Sequence, residues 1–204
     1  EEKNMEIKNL ILASGSPRRK ELLEQIGIMP VISPSRIEEV VTSSVPEQVV
    51  LELSSQKAED VMSRCPVGSV VLGADTVVAI DGMILGKPKS HGEACEMIRR
   101  IQGRSHQVHT GVAILLKEET GLRQKHFTVK TDVMVFPMTE EEIREYGESE
   151  EPMDKAGAYA IQGRFAAYIQ GISGDYSNVV GLPVGRVYQE LKALLENRED
   201  ESHD

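Results

Sequence analysis

Residues 69–80 read "SVVLGADTVVAI", a nearly continuous apolar run rich in Val. Such a run is expected of a strand covered on both faces, at the centre of a sheet. One charge interrupts it. Asp75 lies at a place where a carboxylate is costly unless something compensates it. Asp81-Gly82 follows, a strong hairpin signal, and "MILGKP", residues 83–88, reads as the returning strand.

Toward the N-terminus, "NLILAS" (9–14) predicts a short buried strand that runs into Gly15-Ser16-Pro17. Pro17 suits the first position of a helix, because its fixed φ fits and its missing N–H had no partner there. Ser16 before it is a good N-cap residue. Arg18, Arg19 and Lys20 then oppose the positive end of the helix dipole. Isolated cations at such a place read as a solvated helix face. Three in a row form a local conflict of the kind that marks a functional site, here one for an anion. No GK[ST] follows the glycine, so this is not a Walker A loop.

Over the rest of the chain, the pattern predicts strands and helices without strict βαβ alternation. "VISPSRIEEVV" (31–41) is extended, and Pro34 excludes a central antiparallel strand there. Helical spacing of Val49, Val50, Leu53, Ala58, Val61 and Met62 predicts a helix over 46–64. Residues 90–101 read as a helix with a Ser90/Glu93 capping box, and 139–149 as another with Thr139 and Glu142. Residues 106–116 and 124–136 alternate as two strands joined around Gly121. Residues 155–181, rich in Gly and aromatics and without clear periodicity, read as a loop-and-strand platform, and 182–198 as a closing amphipathic helix. The fold class expected is α/β, with a mixed sheet rather than a doubly wound parallel one. A single domain over 5–197 is expected, with Met5 as the natural start and 198–204 as a frayed acidic tail.

Composition bounds the function. The chain has 204 residues and a net charge of −10, which argues against a general nucleic-acid or anionic-membrane surface. Any phosphate site is therefore local. No apolar run approaches the roughly 18 residues of a membrane span, and "EEKNMEIK" is too acidic and polar for a signal peptide. Cys65 and Cys95 stand far apart in no metal-binding spacing, as expected of reduced thiols in a cytoplasmic protein. The sequence leaves the oligomeric state, a homodimer included, open.

Read alone, Asp75 caps a turn or pairs with a core Arg; alternatively it is a metal ligand or a general base. With a reference pKa of about 3.9 it is ionised but weakly basic, and becomes useful on a water acidified by Mg²⁺ or Mn²⁺. Lys87, between Gly86 and Pro88, and Lys57, on the 46–64 helix, complete the charge pattern. Glu39 reads either as an exposed charge or as a second metal carboxylate. His106 and His109, three apart in a strand, point to opposite faces and form no ligand pair.

Four ordered motifs, "LASGSPRRKELL", "LGADTVVAIDGMILGKP", "DKAGAYAIQG" and "GDYSNVVGLP", resemble those of Maf-family nucleoside triphosphate pyrophosphatases. The resemblance extends from about residue 9 to residue 194. It implies an elongated, curved mixed sheet with two lobes around a cleft, similar to inosine-triphosphate pyrophosphatases. It also implies cleavage between the α- and β-phosphates with a divalent cation. On it, Asp75 is the proton acceptor and Arg18, Arg19, Lys57 and Lys87 handle phosphate. Glu39 is the second carboxylate, with Glu39 and Asp75 as metal ligands. Arg18, Thr76 and Gln162 match the positions of the dTTP/UTP subgroup. The absence of Trp removes the natural stacking platform for a 7-methylated guanine. Arg164 and Phe165 depart from the small residues of many relatives. The alternative implied by the family is a nucleotide-binding regulator of septum formation.

Overall fold

The computed structural model describes residues 10–200, with side chains described as far as Glu196. Met5 and residues 201–204 lie outside the described residues. The run at 69–80 forms β3 (Val70–Ile80), and the sheet is built around it. Both β1 (Leu10–Leu12) and β2 (Val31–Ile32) are in the parallel part, β1 pairing with β2 on one side and β3 on the other. β4 (Met83–Leu85) returns antiparallel on β3 through Asp81 and Gly82, both at positive φ (51° and 75°), the backbone that an Asp-Gly hairpin turn requires. β5 (Ser105–Glu118), β6 (Gly121–Val135) and β7 (Ile169–Ser173) continue antiparallel on the other edge of β3. The order β2-β1-β3-β5-β6-β7 is the mixed α/β sheet expected from the intermingled pattern.

Alternation along β3 assigns its two faces. Val71 and Val77 pack against helix α2 (Pro46–Met62). Val70, Leu72, Ala74 and Val78 join the main core on the opposite face. That core takes Leu22 and Leu23 from α1 (Pro17–Gln25) and Ile98 and Ile101 from α3 (His91–Ile101). Ile143 from α4 (Glu140–Gly147), Val180 from α5 (Tyr176–Val180) and Val187 from α6 (Val184–Asp200) complete it. All six apolar residues that predicted the 46–64 helix are buried. α6 runs to Asp200, into the stretch read as a tail. The stretch 155–181, read as loop and strand, also holds the helix α5, which Asp175 caps by accepting from the Ser177 and Asn178 N–H groups.

Two capping expectations need correction. The Thr139/Glu142 box is complete, but at α3 only half forms. Ser90 accepts from the Glu93 N–H, while the Glu93 carboxylate accepts from the Lys89 N–H rather than from that of Ser90. Ser16 occupies the N-cap position of α1 but its side chain makes no capping hydrogen bond. Its N–H donates to Ser14 Oγ at 3.2 Å.

α2 sits on the sheet with backbone against backbone. A Cβ on Gly73 would lie 2.3 Å from Ser54 O, and one on Gly111 would lie 2.2 Å from Val50 O. Val50 and Ser54 are one helical turn apart, so the two glycines form a seat for one edge of the helix. Neither neighbour is a flexible side chain that could give way. Gly111→Ala is therefore expected to destabilise the fold by about 3 kcal/mol or more, as overpacking that shifts backbone does. A urea unfolding midpoint lowered by less than the equivalent of about 0.5 kcal/mol, the scatter of surface substitutions, would show that α2 is not seated there.

Candidate active site

The centre of β3 is open on one edge. Its partners on that edge are β1 at Val70–Leu72 and β4 at Val78–Ile80, so no strand pairs with Gly73–Val77. A cleft of about 490 Å³ opens at this gap, and Asp75 and Thr76 are in its lining. Being consecutive on a strand, the two side chains leave on opposite faces. Asp75 turns toward α2 and Thr76 toward Thr110, whose Oγ1 is 2.9 Å away.

The compensation for the buried carboxylate is Lys57. Its Nζ lies 2.5 Å from Asp75 Oδ1 and 3.1 Å from Glu39 Oε1, placing one ammonium between two carboxylates. Asp75 and Lys57 are only 15% and 16% exposed, whereas Glu39, on the segment between β2 and α2, is 47% exposed. Asp75 thus pairs with a lysine from α2, not with a core Arg. Among the described residues no group of three or more His, Cys, Asp or Glu is placed to hold a metal ion.

The start of α1 faces the same cleft. No acidic residue occupies its first turn, and Pro17 stands at its first position. The two arginines there have separate situations. Arg19 Nε donates to Gly181 O at 2.8 Å, Nη1 to Ser14 Oγ at 3.0 Å and Nη2 to Thr76 Oγ1 at 3.1 Å. Burial pulls its pKa down, opposed by the Asp75 carboxylate, and Arg18 adds a smaller downward push. Arg19 thereby ties β1, β3 and the end of α5 together. Arg18 lines the cleft, and its charge helps hold the Asp154 carboxyl below the ordinary range, after the hydrogen bond from Lys155.

Lys87 and Gln162 complete the set of predicted residues lining the cleft; Glu39 reaches it only through Lys57. Lys155, ion-paired with Asp154, is a fifth cation in the lining that residue-by-residue reading missed. Its signal was its place in the "DKAGAYAIQG" stretch, where no helix or strand pattern marked it. That stretch holds a forced backbone. Gly157 (φ 70°) bonds through its N–H to Gly86 O, and a Cβ there would press on Val78. Ala158 follows at φ 61°, a left-handed conformation that costs a non-glycine residue of order 1–3 kcal/mol. Tyr159, also in the lining, is held by His106 Nε2 at 2.6 Å. Burial pulls His106 down to about 4, so the ring is neutral at pH 7. His109 lies on the opposite side, 3.4 Å from Glu47 of α2.

Five cations therefore surround one cleft in a chain of net charge −10. With a nearly buried carboxylate among them, the cleft has the charge to suit a compact polyanion. The arginines are separable by experiment. In the ligand-free protein, Arg19→Ala is expected to cost about 2 kcal/mol of unfolding free energy, the scale for losing hydrogen bonds to a charged group. Arg18→Ala should stay within about 0.5 kcal/mol of wild type. Equal losses in urea unfolding would mean that both arginines serve the fold alike.

Residues 9–194 match the family described as Maf-like protein. A "dTTP/UTP pyrophosphatase" of Agathobacter rectalis is 52% identical over 198 residues, covering 91% of this chain and 97% of that protein. A "dTTP/UTP pyrophosphatase" of Lachnoclostridium phytofermentans is 47% identical over 184 residues, covering 90% and 93%. Among solved structures, a HAM1 protein from Coxiella burnetii aligns over 61% of this chain and 72% of its own, at 19% identity and a TM-score of 0.40. The chain belongs to the Maf-like protein family.

Proposed function

We propose that this protein is a nucleoside triphosphate pyrophosphatase that cleaves dTTP and UTP to the monophosphate and pyrophosphate. The observation that carries the reading is the gathering of Arg18, Arg19, Lys57, Lys87 and Lys155 around Asp75 in one cleft. The names of the relatives agree with it. The phosphates lie against the start of α1, where N–H groups without a side-chain cap and Arg18 face them. Lys87 and Lys155 balance the charge that grows on the leaving pyrophosphate. Asp75 accepts a proton from the attacking water. The water oxygen bonds to the α-phosphorus as the bond to the α–β bridging oxygen breaks, and pyrophosphate leaves with that electron pair. Lys57, drawn toward the phosphates, frees Asp75 for this role.

A divalent cation fits the donor chemistry of the pair Asp75 and Glu39. Mg²⁺ takes one or two carboxylates and fills its remaining positions with water and phosphate oxygens. Asp75 and Glu39 would hold Mg²⁺ or Mn²⁺ once Lys57 turns to the phosphates, and the ion would supply charge to neutralise phosphate and to acidify water. Cytoplasmic residence agrees with the two free, buried cysteines, and no described helix is long and apolar enough to cross a membrane.

The base is read by Gln162, exposed at the cleft. A planar amide presents an acceptor and a donor side by side, matching the N3–H and a carbonyl of uracil or thymine. Cytosine reverses both groups, so an amide held in one orientation against the bound base would be mispaired with it.

Pyrophosphate release from dTTP with Mg²⁺ tests the reading directly. Nucleotide binding without release would favour the regulator of septum formation instead. Asp75→Asn is expected to lower kcat by about 10²–10⁴-fold, the range for a general base. Turnover near wild type would remove Asp75 from that role. Wild type should cleave UTP well and CTP poorly, and Gln162→Ala should narrow that gap in kcat/KM. An unchanged UTP-to-CTP ratio would place base reading elsewhere.

A further inference from the structure

The segment between β2 and α2 has little secondary structure of its own, yet it is stitched along one stripe of α2. Four side chains at four-residue spacing, which share one helix flank, hold it. Gln48 accepts from Ser43 Oγ, Glu52 from the N–H and hydroxyl of Thr42, and Asp60 from Ser35 Oγ and the Arg36 N–H. The fourth, Gln56, does more. The Val40 N–H donates to Gln56 Oε1 at 3.0 Å, and Gln56 Nε2 donates to Val40 O at 2.7 Å. One side chain thus takes both backbone groups of one residue, as a neighbouring strand would.

The position of this clamp matters. Gln56 precedes Lys57 on the helix, and Val40 follows Glu39 on the segment. The clamp therefore fixes the one step of chain on each side that carries the Glu39–Lys57 contact of 3.1 Å. Glu39 is half exposed and meets α2 through its ion pair with Lys57. A surface ion pair alone is worth about 0–1 kcal/mol, too little to order an irregular segment. The paired amide holds the backbone, and the backbone presents the carboxylate.

We infer that Gln56 is a positioning residue, which fixes the backbone at Val40 so that Glu39 stands against Lys57, the partner of Asp75. This rests on the proposed hydrolysis and on Glu39 serving it. The test is a double-mutant cycle on dTTP hydrolysis with wild type, Gln56→Leu, Glu39→Gln and the double variant. Gln48→Leu, which loosens the far end of the segment at Ser43, is the control. Gln56→Leu is expected to lower kcat/KM by about 10–100-fold, the scale of a misplaced group. It should cost less than about twofold in the Glu39→Gln background, and Gln48→Leu should be nearly silent. A purely structural role gives the same loss in both backgrounds and overturns the inference, as does a Gln56→Leu variant of wild-type activity. Full activity in Glu39→Gln overturns it by removing the carboxylate to be positioned. Independently of turnover, trypsin should cleave after Arg36 several times faster in ligand-free Gln56→Leu than in Gln48→Leu. Equal rates would overturn the clamp itself, whereas faster cleavage in a chain without dTTP hydrolysis would leave the clamp standing and sink the proposed activity.

Discussion

The contact between the backbone of α2 and the two glycines Gly73 and Gly111 sets the distance on which the site depends. With side chains at those positions, the helix would stand farther off and Lys57 would not meet Asp75 at 2.5 Å. The register makes the same point, because Gly111 is the direct cross-strand partner of Asp75. The place of closest approach and the place of the carboxylate are one place. Because α2 carries the segment with Glu39 along its flank, seating the helix also delivers the second carboxylate.

A second constraint is the gap in the edge of β3. A central strand exposes functional groups only where its neighbours stop, and β1 and β4 stop at either end of Gly73–Val77. The side chains at the gap alternate between faces, so groups from α2 and from the Thr110–Gly181 side converge on one opening. Asp75, only 15% exposed, is tolerated because an ammonium neutralises it, and the pair stays next to solvent. The cations are concentrated here against an acidic whole, so the field in the cleft is local and short in range.

Much of this was legible in the chain. The apolar run of β3, the Asp-Gly turn and the Pro17 helix each rest on a local rule whose signal lies within a few residues. The conflict between Arg18–Lys20 and the helix dipole pointed to an anion for the same reason. Other features depended on neighbours that the sequence does not name. Arg18 and Arg19 read alike, yet the fork of Arg19 is committed to Ser14, Thr76 and Gly181. Lys155 lies in an irregular stretch without periodicity, so nothing local separated it from a solvated lysine. Ser16 had the identity of an N-cap, but its hydroxyl accepts no hydrogen bond from the first turn of α1.

The sequence by itself determined most of the strands and helices, though not the helix α5 inside the 155–181 platform, and it determined that the sheet is mixed and that Asp75 needs a partner. These follow from periodicity, turn chemistry and the cost of burying charge, all properties of short stretches. Only the tertiary structure decided that the partner is Lys57, that Glu39 joins it through a clamped segment, and that the cleft opens between β1 and β4. Those outcomes depend on distances between residues 16 to 60 positions apart in the chain, from Val40 and Gln56 to the paired Leu10 and Val70. Packing of backbone against backbone fixes such distances, and no local pattern encodes them.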